Sequence, residues 1–391
     1  MTTTRIYFSG SYLTEFTAHV IERADEGRRI YLDRTAFYPA SGGQPNDLGD
    51  ISGANVVDVI DEGARIAHIT SSAVDGLEVE CRVDWPRRFD HMQQHSGQHL
   101  LSAVLFERLG LETVGFHLGA AASTIDLAAA SLDAKEVAAI EAAVNERVME
   151  NRPVTVVFEE ASEARDLRRA SDREGTLRIV CIEGLDRSAC GGTHVRATGE
   201  IGPVLIRKLE KIRGDLRLEF LCGLRALRRA RADFEALSRI AKIFSAPLDD
   251  TAALVASQRE AFQEADKSRR KISAELARYR GREMYQTTAP GADGLRRALH
   301  RQASGSLDDE VRGLAQGFTA QAKALFVAAV DNPPAVLLAV SADAGLNAGQ
   351  TLKAALSTFG GRGGGSALLA QGSVPAADQV EPLCRVLAQA V

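Results

Sequence analysis

The sequence has no run of about eighteen apolar residues, the length that a membrane-spanning helix needs. Its first residues, MTTTRIYFSGSYL, lack the positive stretch and apolar run of a secretory signal. Cysteine is scarce: five residues, Cys81, Cys181, Cys190, Cys222 and Cys384, are scattered along 391 positions. An odd, sparse set argues against a disulfide framework and for a reducing, cytoplasmic compartment. There is no basic excess, since the formal net charge is −5. Any nucleic-acid contact must come from a local patch. What remains is ordinary for a soluble globular protein, with 45% hydrophobic and 25% charged residues, and the length is enough for two or three domains.

Against that background one stretch stands out, Arg88 to Leu105, RFDHMQQHSGQHLLSAVL. His95 and His99 are four apart, so on a helix the two imidazoles lie one turn apart on one face and suit a single metal ion. Leu100, Leu101, Val104 and Leu105 would bury a stripe and hold that helix. About ninety positions later comes Cys190-Gly-Gly-Thr-His194. Thiolate and imidazole are preferred zinc ligands, and the two glycines let the chain turn so that both side chains point the same way. Together the pairs make a tetrahedral set of four: His95, His99, Cys190 and His194.

HSGQHLL followed by CGGTHV resembles the editing domain of alanyl-tRNA synthetases and the freestanding alanyl-tRNA editing proteins, the AlaX family. The stretch from Thr35 to Pro45, TAFYPASGGQP, and that from Val83 to Arg88, VDWPRR, extend the resemblance, as does Asp186 four residues before Cys190. The matches run in the family's order over roughly residues 5–225. The resemblance implies hydrolysis of the ester of a wrongly charged tRNA, chiefly Ser-tRNA(Ala) and also Gly-tRNA(Ala), at one Zn2+ per chain. Such a second site removes errors that a small synthetase pocket cannot reject. The zinc would either lower the pKa of a water or anchor the substrate. Four protein ligands normally close the ion, so catalysis at the metal would need a displaced ligand or a fifth position.

Discrimination demands a buried polar partner for the serine hydroxyl, and Thr35 matches the family's position for it. Gly42, Gly43 and Gln44 match the glycine motif where backbone approaches the amino acid. Asp186 is expected to accept a hydrogen bond from a ligand histidine. Gln94 and Gln98 flank the ligands, face pocket or solvent, and are candidate substrate-binding residues. His91 is expected at the surface.

The fold class expected is α+β and multidomain. Short alternating runs at 29–33, 56–60, 65–69 and 77–83 suggest a small β-barrel over residues 1–90 carrying the glycine motif. A zinc-binding editing domain should follow over 91–222. It should have helices at 91–109 and 134–150, a short helix at 160–170, and strands at 153–158, 176–182, 204–210 and 216–221. Residues 223–290 read as a helical hairpin or coiled coil split at Ala246-Pro247, and the stretch after about 283 as a linker to residue 306. The last segment, 305–391, alternates helix (307–329), strand (335–340), helix (348–359) and strand (367–370). Its glycine run, Gly360 to Ser366, resembles the signature of the DHH-associated domain that closes alanyl-tRNA synthetases.

No counterpart of the aminoacylation domain is expected. A DHH-type phosphoesterase is disfavoured because no Asp-His-His tripeptide occurs. The rival reading is a zinc-stabilised module that binds nucleic acid without catalysis. The expected partners are mischarged tRNA(Ala) and a second copy of the chain, with no membrane. Residues 207–231 hold nine Lys or Arg against three Asp or Glu, a local patch suited to phosphates.

Overall fold

The computed structural model describes residues 2–170, 174–212 and 214–390. It is a mixed α+β chain dividing into two compact units, Met1–Arg239 and Ile240–Val391. The expected barrel and metal-binding segments thus fall within one unit.

The first unit opens with β1 (Thr4–Arg5) and a 3-10 turn, Ile6–Phe8. A six-stranded closed barrel comes next. It comprises β2 (Glu15–Ala24), β3 (Arg29–Leu32), β5 (Gly49–Ile51), β6 (Ala54–Asp61), β7 (Ile66–Thr70) and β8 (Glu78–Val83), in the order β2-β3-β7-β6-β5-β8. The strand β4 (Arg34–Thr35) leaves the barrel to pair in parallel with β1. Alternation does what it should: in β8, Val79, Cys81 and Val83 point inward to meet Ile30, Leu32, Ile51 and Val56, and the residues between face water.

Helix α1 (Trp85–Leu109) begins six residues before the expected start. Asp84 caps it by accepting from the Arg87 amide, Pro86 fits its first turn, and Gly110 ends it at φ 66°. Arg88, fully buried, ties this first turn to the barrel through Asp47 and the carbonyls of Ala36 and Ser11. Leu100, Leu101, Val104 and Leu105 pack against a sheet of four strands, β9 (Thr113–Leu118), β10 (Ser123–Leu127), β14 (Val204–Ile212) and β15 (Asp215–Cys222). Its order is β14-β15-β10-β9. Gly97 makes this packing close, since a Cβ there would lie 2.2 Å from Cys222 Sγ.

The helix α2 (Ala134–Met149) starts in a capping box between Asp133 and Glu136 and covers the same core. A second sheet, β11 (Val154–Glu160), β12 (Thr176–Ile182) and β13 (Asp186–Ala189), delivers the chain to Cys190. The helix expected over 160–170 is not formed. Residues 161–170 are turn and irregular chain, and Asp166 at φ 57° is incompatible with a helix.

The boundary between the units falls in α3 (Gly223–Phe244), and α4 (Thr251–Thr287) follows a break around Pro247, as the split at 246–247 predicts. From Ala274 onward α4 packs on α5 (Asp309–Thr319). The contact is backbone-close: an added Cβ at Gly317 would lie 2.0 Å from the Arg278 carbonyl, and one at Gly281 2.2 Å from that of Leu314. This stretch therefore finds its partner within the chain.

The sheet of the second unit contains β16 (Arg296–Gln302), β17 (Ala324–Asp331), β18 (Pro334–Val340), β19 (Arg362–Gly365) and β20 (Leu369–Ser373), ordered β16-β17-β18-β20-β19. Two helices, α6 (Ala348–Thr358) and α7 (Val380–Gln389), cover it. The expected linker contains β16, a polar edge strand paired in parallel with β17. The expected helix 307–329 ends at Thr319 because Ala324–Val330 is a strand buried throughout, whose continuous apolar run has no readable period. The glycine run forms edge strand β19. A Cβ at Gly363 would lie 2.5 Å from the Gln371 carbonyl and 2.7 Å from Leu356 Cδ1, so the run serves close approach to β20 and α6.

Candidate metal centre and its cavity

α1 presents His95 and His99 on one face, and β13 feeds the loop that carries Cys190 and His194. The four ligand atoms lie within 4.8 Å of one another. Cys190 Sγ is 3.4 Å from His95 Nε2 and 3.4 Å from His194 Nε2. Ligands held 2.0–2.3 Å from one tetrahedral ion sit roughly 3.3–3.8 Å apart, so this spacing fits a shared metal. Gly192 permits the approach, since a Cβ there would lie 2.2 Å from His95 Cε1.

Each imidazole is anchored through its other nitrogen. His95 Nδ1–H donates to Gln44 Oε1 (2.8 Å) and His99 Nδ1–H to Asp186 Oδ2 (3.1 Å), while His194 Nδ1 lies 3.1 Å from Ser96 Oγ. The His95 and His99 tautomers are thereby set with Nε2 toward the cluster, and Ser96 holds the His194 ring with its Nε2 beside Cys190. Gln44 also accepts from the Thr193 amide (3.2 Å) and donates to Thr193 Oγ1 (2.8 Å), joining the barrel loop to the CGGTH loop. Arg168 Nε donates to Asp186 Oδ1 at 2.7 Å, and Ser188 Oγ also reaches this carboxylate.

The electrostatics follow from burial and pairing. Burial alone would raise the Cys190 thiol, but the imidazoles of His95 and His194 outweigh it and hold its pKa well below the usual thiol range. Burial and the neighbouring His95 push His194 down to about 3. Burial also disfavours charge on His99, yet Asp186 and Cys190 push it up to about 9, and His99 and Arg168 in turn hold Asp186 down to about 2. A site that stabilises thiolate and carboxylate is poised for a cation.

The cluster opens into a cavity of about 530 Å³ whose wall includes His95, His99, Cys190, Gly42, Gln98 and Tyr7. Gly42 and Gly43 have φ of 56° and 84°, the double positive φ of a type I′ turn, closed by paired bonds between Ser41 and Gln44. Gly43 docks against β9, where a Cβ would lie 2.8 Å from the Phe116 carbonyl. Phe116 stacks on His95 at 5.2 Å between centroids.

The other sequence candidates divide. Gln98 lines the cavity and donates to Ser102. Gln94 does not line it; its amide is spent on both backbone groups of Cys222, which fixes α1 to β15. Thr35 is fully buried and outside the cavity wall. Its hydroxyl lies 2.8 Å from His68 Nε2 and accepts from the Phe37 amide. His91 corrects the surface expectation: it is 3% exposed, Nδ1 has no partner among the described residues, and burial pushes its pKa down to about 4. Sequence reasoning missed Ser96, Arg168 and Tyr7. Ser96 was visible inside HSGQH, whereas the other two lie far from the ligands in sequence.

The patch at 207–231 is largely neutralised. Arg207 pairs with Asp233, Lys208 with Glu210, Arg217 with Asp126, Arg225 with Asp90 and Arg229 with Asp233; Arg213 lies outside the described residues.

Residues 177–218 match the family described as the threonyl and alanyl tRNA synthetase second additional domain. The chain is 37% identical to alanyl-tRNA editing protein Aarsd1 of Mus musculus, over 59% of this chain and 62% of that protein. It is 30% identical to alanine–tRNA ligase of Pyrococcus abyssi, over 98% of this chain and 44% of that enzyme. The chain thus spans less than two thirds of the length of these relatives. The C-Ala domain of Aquifex aeolicus alanyl-tRNA synthetase matches 23% of this chain and 90% of its own at 24% identity, with a TM-score of 0.20, too low to bear on the fold. Motif order, matched domain and relatives agree: by sequence this chain is similar to the alanyl-tRNA editing proteins.

Proposed function

We propose that this chain is a trans-editing deacylase that hydrolyses the ester of mischarged Ser-tRNA(Ala), and also Gly-tRNA(Ala), at a single zinc site. The observation that carries the reading is the four-ligand cluster, with each imidazole held through Nδ1, at the wall of a cavity large enough for an aminoacyl end. The donor set of three imidazoles and one thiolate fits Zn2+. When bound, the ion supplies a Lewis-acid centre for ester hydrolysis. Gln44, Asp186 and Ser96 orient the ligand histidines, Gly42 and Gly43 let the backbone approach the substrate, and Gln98 offers a polar edge. The second unit, from α4 onward, would contact the tRNA body and a second copy of the chain. Unpaired thiols at all five cysteines fit a cytoplasmic place, and among the described residues no helix is long and apolar enough to cross a membrane.

The test is deacylation of Ser-, Gly- and Ala-charged tRNA(Ala) by purified protein, with and without chelator. Release of serine, loss of that activity on chelation and survival of Ala-tRNA(Ala) support the reading. Tight tRNA binding with no release would replace it with a non-catalytic binding module.

A further inference from the structure

We propose that Arg178 is a positioning residue for the metal centre, holding both backbone groups of Cys190 so that its thiolate reaches the cluster. The proposal rests on the zinc reading above.

A thiolate is harder to aim than an imidazole. Each ligand histidine has a second ring nitrogen, and Gln44, Asp186 and Ser96 hold the three rings through it. A cysteine side chain has no second polar atom, so the place of Sγ is set by the backbone that carries it. That backbone lies past the end of the β-ladder, since β13 stops at Ala189. The far side of the loop is pinned: the Thr193 amide donates to Gln44 Oε1, and the Val195 amide donates to Ser96 Oγ at 3.1 Å. Gly191 and Gly192 separate Cys190 from these anchors and give the chain freedom to turn between them. Arg178 supplies the anchor on the near side. Its carbonyl accepts from the Cys190 amide at 3.0 Å, and its Nη1 donates to the Cys190 carbonyl at 2.6 Å.

The arginine is itself fixed. It stands on β12 and is 9% exposed. Its guanidinium lies over the Phe8 ring at 5.5 Å from the centroid, and its Nε donates to the Phe8 carbonyl at 2.9 Å. One planar fork thus ties the ligand loop to the turn near the start of the chain, a geometry that the point charge of a lysine does not copy. Packing is not reason enough for a guanidinium here. A buried charge is costly unless it is compensated. Among the described residues no carboxylate pairs with Arg178, and its Nη2 is buried without a hydrogen-bond partner. The acidic group that faces it most strongly is the thiol of Cys190. A cation with no carboxylate of its own, bonded to the residue that bears the one thiolate, belongs to the metal centre and not to the core.

The test uses the full chain, stripped of metal and titrated with Zn2+ or Co2+. Zinc affinity is read by competition with a chromophoric chelator. Cobalt reports thiolate ligation through its thiolate-to-metal charge-transfer band. Arg178→Met keeps an apolar stem and removes the fork. It should lower zinc affinity about 10–100-fold and weaken the charge-transfer band toward that of Cys190→Ala, while the d–d bands of imidazole-bound cobalt remain. Arg178→Lys keeps the charge and reaches one carbonyl, so it should fall between wild type and Arg178→Met. Urea unfolding of each metal-free variant checks that it folds; if Arg178→Met does not, Arg178→Lys carries the same comparison. A folded variant with wild-type affinity and an undiminished band overturns the proposal. So does a loss of affinity with the band intact, which would mark a general effect on the fold. The zinc reading fails separately: a wild-type chain that takes up neither metal removes that reading and this one with it, whereas full uptake by wild type and by both variants removes only the role of Arg178.

Discussion

Gln44→Leu should release a metal ligand without touching the metal. In the wild-type fold Gln44 is 1% exposed and its amide oxygen takes two bonds, from His95 Nδ1 at 2.8 Å and from the Thr193 amide at 3.2 Å. Leucine has similar bulk and no acceptor, so both donors are left buried and unpaired. Each such orphan costs about 1–3 kcal/mol, and the apo protein should lose roughly 2 kcal/mol or more of unfolding free energy. His95 also loses the bond that sets its tautomer and ring angle. Removing such an outer partner costs about 10–100-fold in metal affinity, about 1.4–2.8 kcal/mol. Gln44→Glu is the matched control. Its carboxylate still accepts from both donors, and the Thr193 hydroxyl can turn to donate to it, so zinc affinity should stay within about ten-fold of wild type. The assay is competition for zinc against a chromophoric chelator, with urea unfolding of the apo proteins alongside. A folded Gln44→Leu protein that binds zinc as tightly as wild type would refute the reasoning, because His95 would then be held by packing alone.

Cys190→Ala removes the only thiolate of the cluster and should leave well under one zinc per chain by elemental analysis; unchanged content would exclude Cys190 as a ligand. His68 is buried in the barrel, and burial pushes its pKa from 6.5 down to about 4. The unfolded chain therefore binds a proton that the folded one refuses. The stability contribution is whole above pH 6.5, falls as pH drops toward about 4, and amounts to roughly 3 kcal/mol. His68→Gln should show a shallower decline in unfolding free energy over that window, and parallel curves for the two proteins would contradict this. Truncation to separate the tRNA-body role belongs in the break at 245–250, since Arg225 and Ala226 serve the first unit. Loss of the second unit should raise KM for charged tRNA and leave kcat nearly intact, read by steady-state deacylation at two salt concentrations. Because five of the nine basic residues at 207–231 already have carboxylate partners, that patch should add little to the salt slope.

The ligand set could be read in the sequence because it is local. Four residues separate His95 from His99 and four separate Cys190 from His194, and helix period or tight turn does the rest. Strand β8 was legible for a similar reason, since its one wet face and one dry face leave an alternating trace. The strand β17 left no such trace because both its faces are dry, and β16 left none because it is a polar edge. The partners of the ligands were decided by tertiary structure alone. Gln44 reaches His95 across 51 positions and Arg168 reaches Asp186 across 18, distances at which sequence carries no periodic signal. The pairing of buried polar groups was decided the same way. Thr35 and His91 are both buried polar residues, and only the fold shows that His68 engages the first while Nδ1 of the second has no partner among the described residues. Sequence determines which side chains can bind; whether a buried group is already paired depends on what the rest of the chain brings within 3 Å of it.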